Sequence, residues 1–283
     1  MNILLLSPEL FLHEGGIARI MRLYLKALCE IATRVDSVVL NDAPGPEPRL
    51  ARYTNERLGE HISCSHGKVA FIRHTLRLAR RADTLICAHL HQLPIAWLAQ
   101  KITPGLKYHL VAHGIEVWRP YSLLERRALL GAHRILCISE YTRRQMLRFC
   151  PDLKAERLVV LPNTLDPYFA PELNTRVSHA PFALPRIFTV GRLSSSDTYK
   201  GFDTLIEAMP LIRREYPAAR LRIVGKGDDQ PRLTALAARL GVAGSVDFLG
   251  PSTTKPCAPN TPPATCSPCR AARRASVSSI WKP

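Results

Sequence analysis

The first forty residues indicate the fold class. Residues 2–40 read NILLLSPELFLHEGGIARIMRLYLKALCEIATRVDSVVL, which is an apolar run, a segment of helical periodicity and a second apolar run. Asn2–Ser7 and Val35–Leu40 have the length and composition of buried strands, and the apolar positions between Ile17 and Leu28 recur at helical spacing. A strand, a helix and a strand in succession are typical of a parallel sheet covered by helices.

The alternation continues along the chain and then begins again. Apolar runs predict four more strands in the first half, at Thr84–Ala88, Tyr108–Ala112, Arg134–Ile138 and Leu158–Leu161. After a proline-rich segment the pattern restarts, with predicted elements at Arg186–Val190, Thr204–Glu215, Arg220–Val224, Gln230–Leu240 and Ser245–Leu249. We therefore predict an N-terminal Rossmann-like domain over residues 1–170, a linker over 171–185, a partial second domain over 186–250 and a disordered, proline-rich tail over 251–283.

Composition excludes several classes of protein. With 46% hydrophobic and 22% charged residues, the 283-residue chain has enough apolar material for two globular domains. No apolar run reaches the roughly 18 to 20 residues that span a bilayer, and the N-terminus lacks the basic leader of a signal peptide, so we expect a cytoplasmic location. The only CxxC motif, Cys266–Cys269, lacks a second pair of ligands, so no metal site is predicted.

The strong positive charge predicts an anionic partner. The formal net charge is +16, and five of the basic residues fall in residues 251–283, which contain no acid, so the rest of the chain carries +11. Nucleotide phosphates and acidic lipid headgroups would both suit such a surface. No nucleic-acid-binding motif accompanies the charge, so we predict no nucleic-acid partner.

The most specific sequence motifs lie in the second half of the chain. They comprise VGR at residues 190–192, YKGFD at 199–203, IEA at 206–208 and IVGKG at 223–227. In this order the segments resemble the donor-binding domain of retaining GT-B glycosyltransferases of the family 4 type, which includes mannosyl- and glucosyltransferases. In the first half, GGI at 15–17, AHGIEVW at 112–118, ISEYT at 138–142 and LPNTLD at 161–166 look like that family's acceptor domain.

The resemblance implies a fold and an activity. The fold is α/β of the GT-B kind, with two Rossmann-like doubly wound domains, of which the second is incomplete here. The activity is that of a hexosyltransferase, which moves a sugar from a nucleotide-sugar donor to a lipid-linked or polysaccharide acceptor with retention at the anomeric carbon. The nucleotide sugar is a substrate, and no cofactor is implied.

The tail does not match what the family shows after residue 250, and the genetic code suggests a reason. Trp281 is encoded only by TGG and Lys282 only by AAA or AAG. A reading frame that starts at the third base of each codon therefore encodes glutamate where these two codons meet. With permitted codon choices, translation of the codons of residues 251–283 in this frame gives a sequence that resembles the family. We therefore predict a frameshift near Gly250 that truncates the second domain and impairs activity. A native disordered extension is the alternative.

Sugar transfer leaves a diphosphate, so cations and backbone amides must stabilise its negative charge. The resemblance places Arg192 and Lys200 on the donor phosphates, whereas without it each would be an ordinary surface cation. Gly15 and Gly16 lie between a strand and a helix, where amides and the helix dipole could approach a phosphate, although a tight turn would use the same residues.

Four further residues complete the predicted site. The resemblance makes Gly225 and Gly227 the floor under the nucleotide base, and a plain strand-to-loop turn is compatible with that reading. His113 ends a predicted strand and could hydrogen-bond the transferring sugar or assist proton movement as the catalytic residue, although a single histidine is often structural. Ser139 and Asn163 are further candidates for lining the cleft.

Two alternatives use the same fold without sugar transfer. A non-catalytic module could bind an acceptor or make peripheral contact with an anionic membrane at its inner face, through Arg73, Arg77, Arg80 and Arg81, although these arginines could equally form a solvated helix face. A GT-B sugar epimerase would require several carboxylates in the active site, and the candidate cleft segments do not supply them.

Overall fold

The computed structural model describes residues 1–13, 15–166 and 186–251. The chain divides into two compact units, Met1–Thr175 and Arg176–Pro283, and each is described by itself. The predicted linker over 171–185 and all of the predicted tail except Pro251 lie outside the described residues. The domain boundaries at 170 and 186 therefore stay predictions.

The first unit is built on a parallel sheet whose strands are β1 (Asn2–Ser7), β2 (Arg34–Val39), β3 (Leu58–Ser63), β4 (Thr84–Cys87), β5 (Lys107–Ala112), β6 (Arg134–Cys137) and β7 (Leu158–Val160). Its helices are α1 (Gly16–Ile31), α2 (Lys68–Ala79), α3 (Leu93–Ile102), α4 (Leu123–Gly131) and α5 (Glu140–Phe149). The strand order is β3-β2-β1-β4-β5-β6-β7. The order reverses between β1 and β4, which creates a topological switch point there.

Both faces of this sheet are buried, and the sequence of β1 shows why. Leu4 and Leu6 belong to a core that includes residues of α2, α3, α4 and α5, whereas Ile3 and Leu5 belong to a second core that includes residues of α1. Right-handed crossovers place helices on opposite faces when the strand order grows in opposite directions from a switch point. The continuous apolar run NILLLS is therefore what a strand covered on both faces requires.

The strand β3 was not predicted, and it lies at the edge of the sheet. Every residue of its sequence, LGEHIS, is half-buried, so no apolar face marks it. Asp36 on β2 fixes it, because the Asp36 carboxylate accepts a hydrogen bond from the Glu60 amide at 2.7 Å and contacts Arg34 and Arg81. Burial alone would raise the pKa of Asp36, but these hydrogen bonds hold it below its usual value.

The second unit contains, among its described residues, a parallel sheet of β8 (Arg186–Val190), β9 (Arg220–Val224) and β10 (Val246–Phe248) in the order β10-β9-β8. Two helices accompany it, α6 (Phe202–Glu215) and α7 (Gln230–Arg239). Their apolar residues form one core with the strands. These five elements agree within two residues with the predicted ones.

The helices are short relative to a lipid bilayer. In residues 1–13, 15–166 and 186–251, no helix has the length and apolar character needed to cross a membrane.

Candidate functional site

The candidate site of the first unit lies at the carboxyl edge of its sheet, where the switch point separates β1 from β4. Ligands of open α/β sheets bind at such a position because the loops diverge and leave a crevice. The segments that follow β1, β4, β5, β6 and β7 all start from this edge. They contain the predicted residues Gly15, Gly16, His113, Ser139 and Asn163.

A buried carboxylate shapes the loop after β1. Asp42 accepts hydrogen bonds from the backbone amides of Leu10, Phe11 and Leu12, at donor–acceptor distances of 2.9 to 3.2 Å. Three amides directed at one carboxylate fix the course of the chain that leads from β1 to Gly15. Sequence analysis missed Asp42, because its sequence neighbourhood indicates only a turn.

Gly15 and Gly16 begin α1 without a capping side chain. Gly15 is the N-cap, and no side chain accepts from the first turn at that position. A Cβ atom on Gly16 would meet nothing within 4 Å, and one on Gly15 would lie at ordinary contact distance, 3.6 Å, from the Glu9 carboxylate. Packing within the chain therefore does not require these glycines. Their open surroundings and the unpaired first amides of a helix suit the close approach of an anion.

His113 follows directly after β5 and is largely buried. Its backbone amide donates a 2.5 Å hydrogen bond to the Glu116 carboxylate, and its Nε2 atom is buried with no partner among the described residues. Burial, and secondarily the nearby His89, lower the pKa of His113 to about 4, although a hydrogen bond with the backbone of Ala88 acts in the opposite direction. The imidazole is therefore neutral at pH 7.

The segment after β4 adds two histidines beside an ion pair. The His89 and His91 rings stack with centroids 5.0 Å apart, and Nδ1 of His91 lies 3.7 Å from the Glu125 carboxylate. Arg119 donates to both oxygens of Glu125, at 2.7 and 3.1 Å, and this pairing lowers the pKa of Glu125 to about 2. Burial lowers the pKa of His89 to about 4, so His89 is also neutral at pH 7.

Two polar side chains of this edge were missed by sequence analysis. The amide of Gln92 is buried, and neither its nitrogen nor its oxygen has a partner among the described residues. The indole nitrogen of Trp118 is also buried and has no hydrogen-bond partner among the described residues. A buried polar group without a partner costs about 1–3 kcal/mol, so such groups are suited to hydrogen-bond a ligand that enters. Trp118 ends the family-like motif at residues 112–118, but nothing in the sequence marks its indole nitrogen or the Gln92 amide as buried and unpartnered.

The structure gives Ser139 a local role and leaves Asn163 at the surface. Ser139 is the N-cap of α5, where its hydroxyl accepts from the Thr142 amide at 3.1 Å. The next helical turn contacts the segment after β5, because Tyr141 packs edge-on against Trp118 with ring centroids 5.0 Å apart. Asn163 is exposed, three residues after β7. Both residues stay candidates for lining the cleft.

In the second unit, glycines allow two loops to lie in contact at the carboxyl edge of the sheet. The amide of Leu193 donates to the Lys226 carbonyl at 3.1 Å, and the Gly191 amide donates to Val224 at 3.0 Å. A Cβ atom at Gly225 or at Gly227 would overlap the carbonyl group of Gly191 or of Leu193, respectively. Both glycines are therefore required for this approach of backbone to backbone.

Arg192 and Lys200 lie together on this edge and share one carboxylate. Arg192 donates to Oδ2 of Asp197 through Nε at 2.9 Å and Nη2 at 2.8 Å, and Nζ of Lys200 lies 3.1 Å from the same oxygen. The hydrogen bond from Arg192 is the main cause of a lowered pKa of Asp197. The Arg192 side chain remains 70% exposed, so much of its guanidinium faces solvent. Two cations against one carboxylate leave a net positive charge.

The arginines of α2 and its C-terminal end, considered for membrane contact, are partly neutralised. Arg77 donates to Glu60 at 2.5 Å, and Arg81 contacts both Glu60 at 2.8 Å and Asp36 at 3.0 Å. These pairs belong to the network that holds β3. They therefore favour a structural role for the two arginines over capture of a lipid headgroup.

A search for metal ligands used the described residues only. Among residues 1–13, 15–166 and 186–251, no group of three or more His, Cys, Asp or Glu side chains is arranged to hold a metal ion.

Comparison with protein families identifies the chain. A family model described as "Glycosyltransferase Family 4" matches residues 14–169, which is more than half of the chain. The chain belongs to glycosyltransferase family 4. A second model, "Glycosyl transferases group 1", matches residues 184–265 and so extends past Gly250, where the resemblance was predicted to end.

Two curated relatives resemble this family member over parts of their length. It is 30% identical over 208 residues to the GDP-mannose-dependent alpha-(1-6)-phosphatidylinositol monomannoside mannosyltransferase of Mycolicibacterium smegmatis, over 72% of this chain and 49% of the relative. It is 40% identical over 63 residues to an uncharacterized glycosyltransferase of Haemophilus influenzae, over 22% of this chain and 17% of the relative. The chain therefore matches about half of the one relative and less than a fifth of the other.

A solved structure confirms the fold class. HepE of Anabaena, determined in complex with UDP and glucose, superposes with a TM-score of 0.60 over 89% of this chain and 69% of HepE, at 18% identity. The predicted GT-B fold with Rossmann-like sheets is thereby confirmed. At this identity the likeness concerns the fold alone.

Proposed function

We propose that this chain is a hexosyltransferase that binds a nucleotide sugar through its second unit and transfers the sugar to a lipid-linked or polysaccharide acceptor with retention. Membership of glycosyltransferase family 4 supports the reaction class. The observation that carries the proposal is the convergence of Arg192 and Lys200 on Asp197, beside the loops that Gly225 and Gly227 allow to meet.

The paired cations suit a leaving diphosphate. As the bond between the sugar and the donor breaks, negative charge develops on the diphosphate, and cations held beforehand stabilise it without reorganising. Asp197 orients Arg192 from one side through Nε and Nη2, which leaves Nη1 directed elsewhere and available to a phosphate. Asp197 is thus a positioning residue, and Arg192 and Lys200 are the proposed phosphate ligands.

The first unit is proposed to hold the acceptor and the transferring sugar. Sugars present neutral hydroxyl groups, which require neutral hydrogen-bond partners that lie in a dry site. His113 supplies such a group, because its buried Nε2 atom has no partner among the described residues and its pKa of about 4 keeps it uncharged at pH 7. Gly16 would add a backbone amide for a phosphate of donor or acceptor, whereas the Gly15 amide already donates to the His13 carbonyl at 3.0 Å.

The carboxylates near His113 are already engaged, which weighs against epimerase chemistry. Glu116 accepts hydrogen bonds from the backbone of its own loop, and Glu125 pairs with Arg119 and closes the capping box of α4. A hydrolytic epimerase would need carboxylates free to exchange protons with substrate or water. The geometry therefore favours transfer.

The choice of donor is tested by binding. The Mycolicibacterium smegmatis relative is named for GDP-mannose and the Anabaena structure contains UDP and glucose, so GDP-mannose and UDP-glucose are the first donors to titrate by calorimetry. We expect one of them to bind the full chain, and both Arg192→Ala and Lys200→Ala to weaken that binding by about tenfold or more, since a charged hydrogen bond contributes about 1.5–3 kcal/mol.

The control is Arg239→Ala, which removes an exposed cation at the end of α7 in the same unit. Equal weakening by all three variants would show that general charge, and not a phosphate site, attracts the donor. No binding of any of the donors would contradict the proposal. Transfer of labelled sugar to lipid or glycan acceptors then measures activity directly.

The frameshift near Gly250 remains a proposal of its own. Support comes from the forced glutamate codon in the alternative frame, whereas the group 1 family match to residue 265 runs across the proposed site. Resequencing the locus in several isolates distinguishes a frameshift from a native disordered extension. An intact frame through codon 283 in every isolate would refute the frameshift.

A further inference from the structure

A second cationic site lies at the opposite edge of the first sheet. A pocket of about 330 Å³ opens at the amino ends of the last three strands. Lys107 is the first residue of β5, Arg134 is the first residue of β6, and Arg157 immediately precedes β7. The pocket is lined by these residues and by Gln100, Gly131, Ala132, His133, Lys154 and Glu156.

The charge of this pocket is strongly unbalanced. Four basic residues, Lys107, Arg134, Lys154 and Arg157, line it together with a single acid, Glu156. Within the described part of the chain, no hydrogen bond or ion pair engages the ammonium group of Lys107 or Lys154. Glu156 offers its backbone carbonyl to Arg134 at 2.6 Å, and its carboxylate neutralises none of the four cations at ion-pair distance.

The two arginines stand in fixed positions. Arg157 donates to the carbonyl of Leu130 at 2.9 Å and to that of Ala132 at 3.4 Å, so it closes the carboxyl end of α4. Arg134 is tied to the Glu156 carbonyl. Rigid guanidinium groups between two free ammonium groups form a preorganised anion receptor, because little side-chain freedom is lost when an anion binds.

The titration of two neighbouring histidines agrees with a positive local potential. The rings of His109 and His133 meet edge-on, 5.3 Å apart. Burial, and after it the cations Lys107, Arg134 and Arg157, lower the pKa of His133. Burial and the charge of His133, Arg134 and Lys107 lower the pKa of His109 to about 4. A bound anion would oppose this effect.

We infer that this pocket binds a phosphate-bearing anion at a site separate from the candidate site of the first unit. The separation follows from topology, because the pocket lies at the amino ends of β5, β6 and β7, whereas His113, Ser139 and Asn163 follow the carboxyl ends of the same strands. A phosphate dianion is compact and accepts several hydrogen bonds, which matches ammonium and guanidinium groups around one small cavity. The phosphate could belong to a free metabolite or to a lipid headgroup.

Inorganic phosphate and pyrophosphate are the probes for a free anion, and vesicles with and without phosphatidic acid are the probes for a headgroup. Calorimetry and vesicle sedimentation use the full chain in a buffer free of phosphate and at low salt. We expect Lys107→Glu and Lys154→Glu each to weaken binding by about tenfold or more, because each replaces a charge that attracts the anion by one that repels it. Lys154 is exposed and precedes a short turn, so its variant keeps the test valid if the Lys107 variant fails to fold.

Lys68→Glu is the matched control, because it makes the same charge change at an exposed position that follows β3, on the carboxyl side of the sheet. Binding of free phosphate or pyrophosphate that only the two pocket variants weaken supports a metabolite site. Binding of acidic vesicles alone with the same pattern supports a lipid site. Equal loss in the Lys68 variant, or no binding to any probe, overturns the inference, and neither result depends on nucleotide-sugar binding.

Discussion

Gly227→Ala should disconnect the two loops that form the proposed donor site. The added Cβ atom would stand 3.0 Å from the Cα atom of Leu193 and would overlap the Leu193 carbonyl more deeply, whereas ordinary contact begins at 3.4 Å. Neither neighbour can rotate away, because both are backbone. The Leu193 carbonyl also accepts the Asp229 amide at 3.0 Å, so that hydrogen bond is strained as well.

The size of the effect follows from this overlap. Relieving it requires the segment with Arg192 to move by roughly 1 Å, and a displacement of that size can cost about 10²-fold in an aligned site. Overpacking of this kind also destabilises a fold by about 1–3 kcal/mol. We therefore expect Gly227→Ala to weaken nucleotide-sugar binding by about a hundredfold and to lower the unfolding temperature of the second unit.

Donor titration by calorimetry and thermal unfolding by circular dichroism measure the two effects. Gly244→Ala is the matched control, because a Cβ atom there meets nothing within 4 Å and the residue lies in the same unit. The reasoning is refuted if Gly227→Ala keeps both the affinity and the unfolding temperature of the parent protein. If both variants lost affinity and unfolding temperature, the unit would tolerate no added methyl group at either position. The effect of Gly227→Ala could then not be assigned to its close contact with the Leu193 backbone.

Three further predictions concern the first unit. His113 has a folded-state pKa of about 4 and an unfolded value near 6.5, so the unfolded chain binds more protons at this residue between these pH values. In urea unfolding His113 should therefore contribute up to about 1.4 kcal/mol per pH unit to the fall in stability as the pH drops from 6.5 to 4, and the fall should be shallower in His113→Asn. Asp42→Asn should cost about 1–3 kcal/mol at pH 7, since it removes the charge that three loop amides bind. Glu125→Gln should cost about 1 kcal/mol by weakening the Arg119 pair and the capping box. Exposed Glu56→Gln is the control for both carboxylates, and a loss equal to theirs would contradict the assigned contacts.

The strand Asn2–Ser7 was predicted with the bounds that the structure shows, because a parallel strand that is covered on both faces must be apolar along its whole length. Arg186–Val190, which is half-buried, was predicted with the observed bounds from its short run of strand-forming residues. The strand Leu58–Ser63 was missed for the complementary reason. It is an edge strand held by the Asp36 network, and neither an edge position nor an ion pair with a distant residue is visible in a local pattern.

The candidate site likewise contains some residues that the sequence predicted and others that it could not predict. Arg192 and Lys200 were predicted because they belong to sequence motifs that resemble the family. In the structure both side chains contact the carboxylate of Asp197. Asp197 could not be predicted, since its role depends on how the segment between them folds. Gln92 and Trp118 became candidates only when their burial and lack of partners were known, and these are properties of three-dimensional packing.

The candidate site of the first unit and that of the second unit differ in the kind of interaction that they offer. The edge of the first unit carries buried, neutral hydrogen-bonding groups, namely the imidazole of His113, the amide of Gln92 and the indole of Trp118. The edge of the second unit carries Arg192 and Lys200, with a single carboxylate between them. Hydroxyl groups of a sugar are selected by neutral partners in a dry environment, whereas a diphosphate is bound by cations that remain accessible. This division of chemistry is what transfer from a nucleotide sugar demands.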